Sequence, residues 1–192
     1  MRILVAGATG VIGIRLVPLL VAAGHTVTGL TRAAASGDRL RALGAEPAVC
    51  DALDPAAVRA AVAAFGPDLV IDELTDLPDD AARIAEFRDA HNRIRREGIR
   101  NLIAATEGIS AGLLSQSVAW RLSDSAQAAV EDHERQVRAA GGVTLRYGQL
   151  YGPGTFYERE PPGPPRIHVD EAARRTADAL DAPPGSILTL VE

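Results

Sequence analysis

The sequence predicts an α/β protein: a single domain, residues 1–192, built as a doubly wound parallel sheet with helices on both faces. Three observations predict it. Short β-rich runs alternate strictly with Ala-rich helical stretches, and that repetition gives parallel strands joined by right-handed crossovers. The first strand runs straight into a glycine-spaced turn and an apolar helix. The composition, 47% hydrophobic and 23% charged, is that of a packed domain and excludes a disordered chain. With aromatics at only 4%, the core must consist mostly of Ala, Val, Leu and Ile.

The elements follow in order. Arg2–Ala6 is a strand, apolar after its first residue, and Val11–Ala23 is a helix that Gly24 ends. Thr26–Leu30 is the second strand, Gly37–Leu43 a short helix stopped by Gly44, and Glu46–Cys50 the third strand. Asp54 caps the next helix and Pro55 suits its first turn; Gly66–Pro67 breaks it after Phe65. Leu69–Ile71 is the fourth strand, and a long helical stretch runs from Asp79 to Thr106. Leu113–Ser117 is a strand, Ser125–Ala140 a helix, and Val143–Tyr147 a strand. A proline-rich loop, Glu160–Pro165, a helix over Asp170–Leu180 and a strand over Ile187–Val191 complete the chain.

Charge and rare residues narrow the chemistry. A net charge of −5 leaves no basic surplus to neutralise phosphates, so neither nucleic acid nor an anionic membrane is an expected partner. All 20 basic residues are Arg, which excludes a Schiff-base lysine, a Walker A lysine and any other catalytic Lys. The single Cys50 excludes an intramolecular disulfide and fits a reducing compartment. The four His show no paired ligand spacing, so no metal site is expected. No apolar run reaches the roughly 18 residues of a membrane span, and the N-terminus lacks signal-peptide anatomy. The expectation is a soluble cytoplasmic protein.

The strongest motif is Gly7-Ala8-Thr9-Gly10-Val11-Ile12-Gly13, between the first strand and the first helix. Gly7 permits the tight turn, and Gly10 lets backbone N–H groups approach a pyrophosphate. Gly13 allows close packing of the helix on the sheet, and the helix start adds partial positive charge. The spacing and position predict the phosphate loop of a Rossmann-type dinucleotide domain; a plain strand–helix turn is the alternative. An NAD site usually carries an acidic residue at the end of the second strand. Here Thr31-Arg32 stands there, and a guanidinium suits a 2′-phosphate, which favours NADP over NAD. A solvated surface Arg32 is the alternative. Asp51, at the end of the third strand, either accepts from the adenine amino group or serves only as a loop or cap acid.

The runs GATGVIG, TGLTR, GAEPAVCDALDP and PDLVIDELTDLP resemble the extended short-chain dehydrogenase/reductase superfamily, in its NAD-dependent epimerase/dehydratase and NmrA-like branch. The similarity continues through Gly98–Leu102, Gln116–Trp120, Leu145–Gly148, Leu150–Thr155 and Ile167–Ala173, and so covers most of the chain in order. The resemblance implies that Gly7, Thr9, Gly10, Val11 and Ile12 surround the pyrophosphate. It places Arg32 at the adenosine 2′-position, Asp51 and Ala52 at the adenine, and Leu74 and Thr75 along the ribose. Ser117 falls near the family's catalytic Ser/Thr, and the segment from Tyr147 to Tyr151 passes near the nicotinamide. A homodimer through the helices after the fourth and fifth strands is also implied.

Two departures matter. The family's Tyr-x-x-x-Lys pair has no counterpart: if Glu134 matches the acid one turn further on, Ala126 and Val130 occupy those places. Relatives also carry a longer substrate-binding region, of which this chain would keep only a short segment, about 151–170. The remaining candidates for proton transfer are Ser117 and Tyr151. Each has a plain structural reading too, Ser117 as a backbone partner at a strand end and Tyr151 packed on Pro153. His133 reads as surface or half-buried, and His168 as a loop organiser. Arg93, Arg95, Arg96 and Arg100 read as a solvated face. Three functions follow: an atypical NADP-dependent oxidoreductase acting on a small carbonyl, sugar or secondary-metabolite substrate, a non-redox enzyme on the same fold, or a non-catalytic NADP sensor of the NmrA kind.

Overall fold

The structure, a computed structural model, describes residues 1–192. Seven parallel strands form one sheet: β1 (Arg2–Ala6), β2 (Thr26–Thr31), β3 (Glu46–Val49), β4 (Leu69–Asp72), β5 (Gly112–Val118), β6 (Val143–Tyr147) and, at the far edge, a strand over Ile187–Leu190. Their spatial order is β3-β2-β1-β4-β5-β6 and then that last strand. The order reverses between β1 and β4, the switch point at which open α/β sheets bind ligands beyond the carboxyl ends of their strands. Register sets Ala6 beside Leu30 on one side and Asp72 on the other, so three strand ends finish level beneath the glycine turn.

Two apolar layers hold the sheet. On one face α1 (Gly13–Ala22) and a later helix over Val169–Asp178 pack on Ile3, Val5, Ile71, Leu114 and Leu145. Short α2 (Gly37–Ala42) links β2 to β3, and on the other face α3 (Pro55–Phe65) and α5 (Ile99–Thr106) cover Leu4, Ala6, Leu30 and Val70. The α3 start is as the sequence predicts: the Asp54 carboxylate accepts from Ala56 N at 2.9 Å and Ala57 N at 3.1 Å, and Pro55 is the first helical residue. No helix is long and apolar enough to cross a membrane.

Three expectations change. The first helix begins at Gly13, because Gly10–Ile12 are spent on the turn. The predicted helix over Asp79–Thr106 is segmented: a 3₁₀ turn at Ala81–Arg83, α4 over Ile84–Arg93, a π turn over Ile94–Gly98, then α5. Gly98 sits where an added Cβ would lie 3.2 Å from both Ile94 and Leu74, so close packing holds the wide turn in place. The segment after Tyr147 also holds strands that the sequence pattern does not assign, on either side of the Glu160–Pro165 loop. It contains β7 (Gln149–Tyr151) and β8 (Arg166–His168), a small parallel pair outside the main sheet. Gly148 permits it, since a Cβ there would lie 2.6 Å from the Arg166 carbonyl carbon. After β8 come α7 (Val169–Asp178) and β9 (Ile187–Leu190); α6 (Asp124–Ala139) links β5 to β6.

Candidate cofactor and active site

Backbone geometry builds the glycine turn. Gly7 has φ +82°, and a Cβ on it would stand 2.4 Å from the Glu73 carbonyl oxygen, so only glycine fits between β1 and β4. A Cβ on Gly13 would stand 2.3 Å from the Gly7 carbonyl oxygen. Gly13 therefore seats α1 against its own turn, at Gly7 and Ala8, more directly than against the sheet. Gly10 N donates to Gly7 O at 2.9 Å, and Ile14 N closes on Gly10 O at 3.0 Å. Between them, the amides of Val11, Ile12 and Gly13 find no acceptor within the protein, and Ile12 provides no side-chain cap. The first turn of α1 has no acidic residue. Unpaired N–H groups at the positive end of a ten-residue helix, with no competing carboxylate, fit a dinucleotide's diphosphate.

Arg15 fixes this turn to its surroundings. Its guanidinium donates to Val11 O at 2.8 Å, Pro153 O at 2.7 Å and Asp170 Oδ1 at 2.6 Å. One side chain thus ties the glycine turn, the Pro153–Gly154 bend and the start of α7 together. His168 Nδ1 accepts from Asp170 N at 3.3 Å and caps α7, in line with its reading as a loop organiser.

The candidate adenosine residues lie at the ends of β2, β3 and β4. Arg32 is 59% exposed in its side chain and pairs with Asp76 Oδ1 at 3.1 Å. Asp51 Oδ1 accepts from Leu53 N at 2.9 Å, a local turn bond. Ala52 is buried, and its carbonyl accepts from Asn101 Nδ2 at 2.9 Å. The Leu74 carbonyl accepts from Gln116 Nε2 at 3.0 Å, and Thr75 is exposed beside it.

Tyr147 sits deeper than its expected place near a nicotinamide. It is 4% exposed, and its hydroxyl donates to Glu73 Oε1 at 2.6 Å while lying 2.6 Å from Thr176 Oγ1. Burial pushes the Glu73 carboxyl up to about 8, against the lowering effect of the Tyr147 bond, so Glu73 is neutral near pH 7. The same burial, with Glu73 beside it, drives the Tyr147 phenol well above its ordinary value. Tyr147 therefore braces the layer beneath the glycine turn.

On the other face, Ser117 ends up at the carboxyl end of β5 as the resemblance implies, but it is 1% exposed. Its hydroxyl donates to Glu134 Oε1 at 2.6 Å, and Arg146 grips the same carboxylate through Nε at 2.8 Å and Nη2 at 2.6 Å. Burial works against the Glu134 charge, but Arg146 and Ser117 outweigh it and hold the carboxyl below its usual range. Tyr151 lies on β7, its hydroxyl bonded to Glu192 and its ring edge-on to His168 at 5.1 Å.

His133 corrects the sequence reading: it is 1% exposed, in the core. Its Nδ1 lies 2.9 Å from the Arg95 carbonyl, and its Nε2 lies 2.7 Å from Ser115 Oγ, which in turn lies 2.7 Å from Asp72 Oδ2. The carbonyl can only accept, so Nδ1 is the donor of that bond. Arg95 is the second correction. It is 5% exposed, packed between α4 and α6 rather than on a solvated face. Sequence reasoning missed this layer because four arginines in a charged stretch carry no sign of which one turns inward.

Glycine turn, free amides and switch point together define a dinucleotide-binding Rossmann domain. Residues 7–175 match the family described as NAD(P)H-binding, and the chain belongs to that family. A 3-diazoavenalumate denitrifying reductase from a Streptomyces species is 38% identical over 193 aligned positions, covering 83% of this chain and 60% of that protein. The chain thus spans about 60% of that relative's length. Among solved structures, the Thermus thermophilus UDP-glucose 4-epimerase in complex with NAD superposes over 100% of this chain and 78% of its own, with a TM-score of 0.80 and 22% identity. An anaerobillin reductase from Escherichia coli O157:H7 covers 100% of this chain and 97% of its own, with a TM-score of 0.74 and 22% identity. These structural likenesses show the fold alone.

Proposed function

We propose that the protein is an atypical NADP-dependent oxidoreductase acting on a small carbonyl, sugar or secondary-metabolite substrate. The row of unpaired amides from Val11 to Gly13, at a helix start free of acidic residues, is the observation that carries this reading. In it Gly7, Thr9, Gly10, Val11, Ile12 and Gly13 surround the diphosphate, Leu74 and Thr75 line the ribose, and Asp51 and Ala52 meet the adenine. The reductase name of the 38% identical relative supports the redox class. Arg32 supports NADP: it is exposed at the end of β2, where an NAD site would offer a carboxylate, and its one partner is Asp76.

When bound, the reduced nicotinamide supplies the hydride. The chain's own residues orient it through the glycine turn, and the proton comes from Ser117, Tyr151 or water. Loss of a dedicated acid slows such a reaction by about 10²–10⁴-fold without forbidding it. Ser117 acts only by exchanging Glu134 for the substrate, and Tyr151 only by leaving Glu192. This commitment of both hydroxyls favours a second reading, a non-catalytic NADP sensor, which Ser117→Ala and Tyr151→Phe distinguish: turnover falls in an enzyme and cellular function persists in a sensor. A cytoplasmic homodimer is part of the proposal, with light scattering as its check.

The test is a titration of NADPH and NADH against the native protein and Arg32→Ala. The expected result is an NADPH preference that falls about tenfold in the variant, the scale of one charge-assisted contact. Equal affinities unaffected by the substitution would remove NADP from the assignment, and absence of binding by either coenzyme would remove the whole reading.

A further inference from the structure

Around Arg95, hydrogen-bond donors outnumber acceptors. Nε donates to His91 Nε2 at 3.0 Å. Nη1 is buried with no partner of any kind, and Nη2 makes no hydrogen bond either but is not sealed in with it. His91 is itself oversubscribed, because its Nδ1 also receives the Asp76 N–H at 3.2 Å. A neutral imidazole has one acceptor nitrogen, so His91 cannot satisfy both donors. Burial and the neighbouring Arg95 push His91 down to about 3, so the ring stays neutral. Burial also lowers Arg95, but only to about 10, and the guanidinium keeps its charge at neutral pH.

No carboxylate of the protein fills the gap. Asp72 and Glu134 favour the Arg95 charge at a distance, yet their oxygens are spent elsewhere. Asp72 accepts from Leu74 N and Ser115, and Glu134 from Ser117 and Arg146. The direction of Arg95 is set by its backbone. Helical side chains lean toward the helix N-terminus, here back along the π turn toward His91 and the loop after β4. That is the carboxyl edge of the sheet, where α/β folds take their ligands.

We propose that Arg95 is the receptor for a carboxylate on the substrate, with its Nη1 and Nη2 edge bonding a planar acceptor beside the ends of β4 and β5. This rests on the reading of the protein as an enzyme with a small-molecule substrate. The fork geometry of a guanidinium matches a carboxylate. A dianionic phosphate is disfavoured, because Asp72 and Glu134 stand close enough to act on the same charge. A partner that arrives only with substrate also accounts for a buried arginine with unmet donors, an arrangement that lowers stability in the free protein.

The experiment uses the full chain, with and without NADPH, titrated calorimetrically with benzoate, benzamide and inorganic phosphate. Benzoate is expected to bind the native protein and to lose at least tenfold in Arg95→Gln, with benzamide and phosphate inert and NADPH affinity unchanged. Unfolding supplies the second readout: ligand-free Arg95→Gln is expected to be at least as stable as the native chain, which a merely structural arginine would not allow. No benzoate binding, equal binding by the variant, equal binding of benzamide or phosphate, or a destabilised variant would each overturn the proposal. Failure of NADPH binding alone would overturn the cofactor assignment instead, since the cofactor-free benzoate titration reports on Arg95 separately.

Discussion

At the carboxyl edge of the sheet, the α1 side presents backbone amides that the protein leaves unpaired, at Val11, Ile12 and Gly13. A few strands away, the α6 side buries Ser115, Ser117, His133 and Glu134 and pairs their polar groups with one another, with Asp72 and with Arg146. The first region is built from backbone and waits for a ligand. The second is built from side chains and satisfies itself, apart from the free edge of Arg95. Readiness to bind thus shows up as unmet hydrogen-bonding capacity, because a buried polar group without a partner is tolerated only where something else supplies one.

The sharpest way to break this comparison is at Gly7. Gly7→Ala forces a side chain into the left-handed region and against the Glu73 carbonyl. A loss of about 3 kcal/mol in urea unfolding, together with loss of coenzyme binding, is expected. Unchanged binding would show that the turn does not depend on this close approach.

Glu73→Gln comes next. The Glu73 carboxyl titrates at about 8 in the folded protein against 4.5 for the ordinary group, so folding takes up a proton between those values. The stability associated with its neutral form is complete below pH 4.5 and is lost as pH rises toward 8. Gln keeps the acceptor for Tyr147 without the charge. The difference between the variant and the native protein is expected to grow across that window to a few kcal/mol in favour of Gln. A flat difference would mean that Glu73 ionises normally beneath the turn.

Ser117→Ala tests the self-satisfied side. Removing a buried hydroxyl from the Glu134 carboxylate should cost about 1–2 kcal/mol by denaturant unfolding, with coenzyme affinity unchanged. A large change in coenzyme affinity would make the two regions one. The smallest effect is expected at Asp54→Ala, the cap of α3: a loss of about 1 kcal/mol in stability by denaturant unfolding.

The glycine turn was legible because its chemistry is local. Three glycines, a preceding strand and a following helix fix the backbone wherever they occur together, and Asp54-Pro55 announces α3 in the same way. The α6 layer was not legible. His133 and Arg95 belong to helical stretches with charged neighbours, and sequence alone gave no reason to turn either inward. The π turn over Ile94–Gly98 shifts the helical phase and brings the Arg95 carbonyl to His133, a contact across 38 residues. Tyr147 is a similar case: its place at the end of β6 was foreseen, while its commitment to Glu73 and Thr176 depends on elements 74 and 29 residues away.

By itself the sequence determined the alternation of strands and helices, the glycine turn and the absence of any lysine chemistry, since each depends on residue type and near-neighbour spacing. Only the tertiary structure decided which polar side chains are spent on each other and which stay free. Pairing in a core is settled by distances between segments remote in the chain, and no local pattern encodes them.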